Sequence, residues 1–135
     1  MKHFLILLFL LLSSFFLSSS SYSEWKKVSN THRNGDVYLD PNKIKFKENH
    51  VYFYILFDHL IPFDVGFDRK IVSTIHYMQA RCTTNSYRYL SSSYFLNPMG
   101  NGKPYRFDDR TGEWRNITTN ILGKNSLALC NYFSK

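Results

Sequence analysis

Lys43-Ile44-Lys45-Phe46-Lys47-Glu48-Asn49-His50-Val51-Tyr52-Phe53-Tyr54-Ile55-Leu56-Phe57-Asp58-His59 is the stretch that decides the fold. Its first five residues alternate strictly, so Ile44 and Phe46 turn to one side and Lys43, Lys45 and Lys47 to the other. Glu48-Asn49-His50 makes a tight turn. Val51 to His59 is β-branched, aromatic and nearly all apolar. The pair predicts a β-hairpin whose second strand is central and covered on both faces.

Outward from the hairpin, extended segments dominate. A first strand is expected over 24–29 and a short one at Val37-Tyr38-Leu39, stopped by Asp40-Pro41-Asn42. Pro62 and Gly66 make 60–68 read as a loop. A long strand follows to Cys82, with Met78, Ala80 and Cys82 sharing one face by their period of two. Tyr87 to Leu96 continues the sheet, and Asn97-Pro98-Met99-Gly100-Asn101-Gly102 is a strong turn cluster. Tyr105 to Phe107 and Trp114 to Ile117 are short extended pieces.

The period then changes. Leu122, Ser126, Leu129, Cys130 and Phe133 fall on one helical face, with Asn120 placed as N-cap. Gly123 weakens that helix by about 1 kcal/mol relative to alanine. About six strands followed by one helix predict a single α+β domain, an antiparallel meander with a C-terminal helix packed on one face.

Residues 1–23 read as a separate, removable unit. A basic start, an apolar run from Phe4 broken by two serines, and small residues Ser21 and Ser23 before Glu24 compose a secretory signal. The apolar core is shorter than the roughly 20 residues of a spanning helix. No later run reaches that length, and no cysteine at the junction offers a lipoprotein anchor. The chain expected after cleavage is 24–135, exported to the periplasm, cell surface or medium. Export bears on the two cysteines. Cys82 and Cys130 could be two buried thiols, but an even pair in an oxidising compartment points to one disulfide.

Chemical motifs are sparse. The histidines lack metal-ligand spacing, the serines lack a nucleophile elbow, and the bridge consumes the thiols. Asp108-Asp109 sits in a loop and reads as turn chemistry, and Met99-Gly100-Asn101-Gly102-Lys103 lacks the spacing of a phosphate loop. The residues therefore predict no enzyme, cofactor or metal site. Charge and aromatics remain: 17 Lys+Arg against 10 Asp+Glu, and 18% aromatic residues in a chain of 135. Lys43, Lys45 and Lys47 with Tyr52 and Tyr54 form the candidate binding surface. Solvated strand lysines also protect sheet edges, so the comb has a structural reading too. As a binding surface it would attract acidic glycans, matrix proteins or anionic envelope surfaces, with no nucleic-acid role expected outside the cell. Tyr77, Tyr89 and Tyr94 join the aromatic surplus, which suits either a binding face or a homodimer contact.

The ordered pieces resemble the surface-adhesin protein E family of small exported Gram-negative proteins. They are Trp25, Val37-Tyr38-Leu39-Asp40, Ile44, the strand Val51 to Phe57, the long strand ending at Cys82, Tyr87-Arg88-Tyr89-Leu90-Ser91, Tyr94, Met99-Gly100-Asn101-Gly102, Trp114-Arg115-Asn116-Ile117 and a helix carrying Cys130. The resemblance covers about residues 25–131. It implies a curved antiparallel sheet, a C-terminal helix on its concave face tied by the disulfide, and an adhesin-like binding role toward host or environmental macromolecules. The alternative role is a periplasmic structural or ligand-binding accessory without host contact.

Overall fold

A computed structural model describes residues 1–2, 24–31, 35–64, 66, 68–117 and 120–133. The stretch 3–23, which carries the export reading, lies outside the described residues. Among the described residues, eight strands form one antiparallel sheet: β1 (Lys26–Thr31), β2 (Gly35–Leu39), β3 (Lys45–Lys47), β4 (His50–Phe63), β5 (Ile71–Arg81), β6 (Ser86–Phe95), β7 (Arg106–Asp108) and β8 (Arg115–Asn116). The order across it is β1-β2-β4-β5-β6-β7. Strand β3 pairs with the start of β4 and β2 with residues 55–58 of it, so the two share one side of β4. On β6, β8 and β7 likewise share a side. The expected six positions are thus filled by eight strands, because two positions are each split between short segments.

The predicted hairpin forms with Lys45 opposite Tyr52 and Lys47 opposite His50. Positive φ at Glu48 and Asn49 closes its turn. Alternation along β4 sends Val51, Phe53, Ile55 and Phe57 to one face, where they meet Met78 and Ala80 of β5. Helix α1 (Ile121–Phe133) covers that face with Leu122 and Cys130, joined by Tyr87. Asn120 caps it as expected: its Oδ1 accepts from the Gly123 amide at 2.7 Å, and its Nδ2 donates to the Tyr87 hydroxyl at 3.0 Å. Cys82 and Cys130 are joined in a disulfide, their Cα atoms 5.4 Å apart. Phe46 remains 40% exposed but stacks on Phe133 with ring centroids 5.6 Å apart, so the hairpin tip reaches the end of the helix.

The opposite face is covered only toward one end. There the turn at Pro98–Gly100 folds over Leu56 and Ile75, and it is anchored by polar contacts. The Met99 amide donates to Asp58 Oδ1 at 2.9 Å, the Gly100 amide to Ser73 Oγ at 2.8 Å, and Ser73 Oγ donates to the Asn97 carbonyl at 2.6 Å. Leu56 is consequently fully buried. The expectation that β4 is covered on both faces holds for this end alone.

The reading of 60–68 as a loop is corrected: β4 runs on to Phe63. Pairing jumps from Asp58–Ser73 to Phe63–Ile71, so five steps on β4 oppose two on β5. Pro62 is accommodated because a bulge leaves residues unpaired where its missing N–H costs nothing.

Gly35 shows how tightly β2 abuts this bulge. It has φ +90, and a Cβ placed there would collide with the Asp58 carbonyl and the Leu60 amide. Both obstacles are backbone, so no side-chain adjustment relieves the contact. Gly35→Ala should cost about 3 kcal/mol or more from strain and displacement of β2. A lowered urea midpoint with unchanged slope checks this; a wild-type midpoint would contradict it.

Candidate binding surface

The half of the helix-free face left open by the Pro98–Gly100 turn carries the charged and aromatic side chains. Cross-strand partners share a face, so register alone assembles them. One row runs Lys45, Tyr52, Gln79 and Arg88 across β3, β4, β5 and β6. Beside it runs Lys47, His50 and Arg81. On the other side Tyr54 opposes Tyr77. Lysines 45 and 47 are exposed, Gln79 is buried, and the aromatic rings are half-buried. All five residues of the candidate surface therefore converge here. Lys45, Lys47, Tyr52 and Tyr54 belong to these rows. Lys43 stands in the short 3-10 turn Pro41–Lys43 with its ammonium 5.6 Å from the Tyr54 ring centroid.

Asp40 places that turn. It is buried, accepts from the Asn42 amide at 3.1 Å, and lies 3.8 Å from the Lys43 ammonium. Tyr54 and Tyr77 stack at 4.5 Å, with Tyr52 6.3 Å from Tyr77. Burial, then the neighbouring Tyr54 and Tyr52, raises the Tyr77 phenol above its ordinary pKa.

Sequence reasoning missed the other end of the rows. Trp114, on the segment returning from β7 to β8, lies where two guanidinium groups meet. The Arg81 guanidinium carbon is 3.9 Å and that of Arg88 4.3 Å from the indole centroid. His50 packs 6.1 Å away. Gln79 ties the arrangement together: Arg88 Nε donates to its Oε1 at 2.8 Å, and its Nε2 donates to the Tyr52 hydroxyl at 3.0 Å. Parity along β5 contained the signal, since Tyr77, Gln79 and Arg81 alternate with the core residues. Trp114 carried none, because its place depends on a long return.

Among the described residues, the ion pairs are Lys27–Asp36, Lys43–Asp40, Lys70–Asp64 and Arg110–Asp108. None involves Lys45, Lys47, Arg81 or Arg88. Lys43 has the Asp40 carboxylate beside it, whereas the other four cations of the open face stand among aromatic rings with no ion-pair partner among the described residues.

Tyr89 and Tyr94 are elsewhere. A bulge shifts pairing so that Tyr77 faces Ser91 while Met78 faces Tyr89, turning Tyr89 toward the helix-bearing side. Tyr94 opposes Thr74, also on that side. There His76 packs 4.9 Å from Tyr89 and 5.7 Å from Phe57, with Nδ1 2.7 Å from Ser92 Oγ. His59 Nε2 is 2.8 Å from Thr74 Oγ1. Burial, then proximity to His59, pushes the His76 pKa down to about 4. The two hydroxyls satisfy imidazole nitrogens taken from water.

A concavity bounded by Tyr94, Arg106, Phe107, Asp108 and Arg110 lies at the sheet edge. Arg110 reaches Asp108 through Nε at 2.9 Å and Nη2 at 2.7 Å. These hydrogen bonds, with one from the Arg110 amide, bring the Asp108 pKa down to about 2. Asp108 is therefore occupied as a turn and ion-pair residue, in keeping with the loop chemistry expected of it. No cluster of metal-ligating side chains occurs among the described residues, and no helix there is long and apolar enough to cross a membrane.

Comparison with solved structures supports the fold. Crystal form II of Haemophilus influenzae protein E matches with a TM-score of 0.59 at 15% identity, over 82% of this chain and 99% of that one. Protein E from non-typeable Haemophilus influenzae matches with a TM-score of 0.59 at 14% identity, over 86% and 81%. No curated protein matches. The family model for surface-adhesin protein E matches residues 25–131, which include every strand and nearly all of the helix. The chain belongs to the surface-adhesin protein E family.

Proposed function

We propose that this chain is an exported, non-enzymatic binding protein of the cell envelope that holds acidic macromolecules on the helix-free sheet face. One observation carries the reading: Lys45, Lys47, Arg81 and Arg88 share that face with tyrosines, and none is engaged in an ion pair among the described residues. Like-signed charge on one surface attracts and orients an oppositely charged partner, while aromatic rings add contact area at low entropic cost. Family membership supports an adhesin-type role at a surface. Removal of residues 1–23 belongs to the same proposal and is checked by N-terminal sequencing of the exported protein.

Replacing Lys43, Lys45 and Lys47 together by glutamate should weaken binding to immobilised matrix proteins and acidic glycans by roughly tenfold or more at low salt, and less at moderate salt. Circular dichroism confirms that the sheet persists. Unchanged affinity in a folded variant would remove the comb from the binding surface. Protease treatment of whole cells then separates the settings: protection from external protease would favour the periplasmic accessory role over surface adhesion.

A further inference from the structure

We propose that Arg81, Arg88 and Trp114, with Lys45 and Lys47 in the same two rows, form a binding site for an acidic polysaccharide, a chain of sugar rings bearing carboxylate or sulfate groups. The proposal rests on the helix-free face being the binding face and names the class of its partner.

The two arginines are prepared for anions. A guanidinium held against an indole ring is attracted by the ring's electron-rich face, and it is weakly hydrated, so presenting it to an anion costs little desolvation. Arg88 is further fixed by its Nε bond to Gln79, which leaves the terminal fork nitrogens to reach a carboxylate or sulfate in paired geometry. The other end of the Gln79 amide holds the Tyr52 hydroxyl, and Gln79 is only 6% exposed. Gln79 is thus a positioning residue: its capacity is used in aligning Arg88 and Tyr52 rather than offered to a ligand.

The spacing suits a polymer with repeating charge. Lys45 and Arg88 are three strand positions apart, roughly 14 Å. Lys47 and Arg81 are two positions apart in the next row. Lys45 and Lys47 at one end, and Arg81 and Arg88 held on Trp114 at the other, therefore flank Tyr52 and His50 over the length of a short oligosaccharide. Sugar rings expose C–H groups on one side that pack against aromatic rings, while their acidic substituents project to the rim where the cations stand.

Peptides fit less well. Extended peptides dock on a free sheet edge, and helical ones need an apolar groove. Tyr52, Gln79 and Arg88 lie on strands already paired with neighbours on both sides, and the free edge of β3, which carries Lys45 and Lys47, is three residues long, too short to hold an extended peptide by backbone pairing. The cations are spread over the sheet face across three strand positions.

The test uses the full chain with its disulfide intact, in a Trp25→Phe background so that fluorescence reports Trp114 alone. Four probes are titrated at low and moderate salt: a heparin oligosaccharide, a polyuronate oligomer, polyglutamate and a single-stranded oligonucleotide. We expect the two glycans to bind most tightly and to change Trp114 emission. Arg81→Gln with Arg88→Gln should weaken glycan binding roughly tenfold or more, while a control of equal charge loss, Lys26→Gln with Lys70→Gln, changes it little. Arg81→Lys with Arg88→Lys keeps charge and fold but removes the planar forks, and it should still lose several-fold. Gln79→Leu should weaken binding without altering net charge, and Gln79→Glu should not restore it. If polyglutamate or the oligonucleotide binds as tightly through the same arginines, the acidic-partner face stands and the glycan assignment falls. Should no probe bind, both fall. Equal losses in the arginine variants and the Lys26/Lys70 control would also overturn the site.

Discussion

Cys130→Ala should lower the melting temperature by roughly 15 to 25 °C. The bridge spans a sequence separation of 48 residues, and in the chain-entropy treatment a loop of that size contributes about 4 kcal/mol by restricting the unfolded chain. Its structural position adds a local effect. Helix α1 holds Gly123 in its first turn and meets the sheet through a narrow face of Leu122, Ser126 and Cys130. Without the bridge, a helix of 13 residues has little intrinsic stability in water. Hydrogen exchange in Cys130→Ala should therefore accelerate most at 121–133, and less in the hairpin at 45–58. Cys82→Ala should reproduce both results. A melting temperature within a few degrees of the unmodified protein would show that packing alone holds the helix.

The second large effect comes with acid. The His76 pKa lies at about 4 against an ordinary 6.5, chiefly because burial beside Phe57 and Tyr89 penalises the imidazolium, and secondarily because His59 is near. The unfolded chain therefore binds this proton more readily than the folded one. His76 leaves stability untouched above its ordinary pKa and erodes it as pH falls from 6.5 to about 4. The loss over that window is about 3 kcal/mol. His76→Gln keeps a polar partner for Ser92 but cannot titrate. Denaturant unfolding at pH 7 and pH 4 should show the wild type losing about 3 kcal/mol more than His76→Gln across the interval. Parallel pH profiles would show that His76 protonates in the folded protein without resistance.

Where one side of an element faces the core, its sequence announced the fold. The alternation of Ile44 and Phe46 with lysines specified the hairpin. The shared parity of Met78, Ala80 and Cys82, set against the helical spacing of Leu122, Ser126 and Cys130, placed both ends of the bridge on facing surfaces. Irregular pairing was not legible. Pro62 reads as a breaker because its amide is missing, yet a bulge spares it that bond. Tyr89 and Tyr94 have opposite parity and nonetheless share a face, because the slip around Leu90 restores their phase. The candidate surface divides in the same way. Its lysine end follows from alternation within one strand. The end at Trp114 depends on registers between β5 and β6 and on a segment brought back from β7, which no local pattern encodes.

The bridge also limits how far the molecule can be drawn out. Cys82 closes β5 near the middle of the sheet, and Cys130 sits five residues from the end of the chain. A pull between the two ends can unravel β1 to β5, but β6, β7, β8 and α1 as far as Cys130 lie within the covalent loop. Their 48 residues would add roughly 160 Å if extended, whereas the bridge holds its Cα atoms 5.4 Å apart. Under such a pull, more than a third of the chain's contour is thereby shielded from tension. Trp114 and Arg88 lie inside the shielded part, and Lys45, Lys47 and Arg81 outside it. Such a load would therefore part Lys45, Lys47 and Arg81 from Arg88 and Trp114.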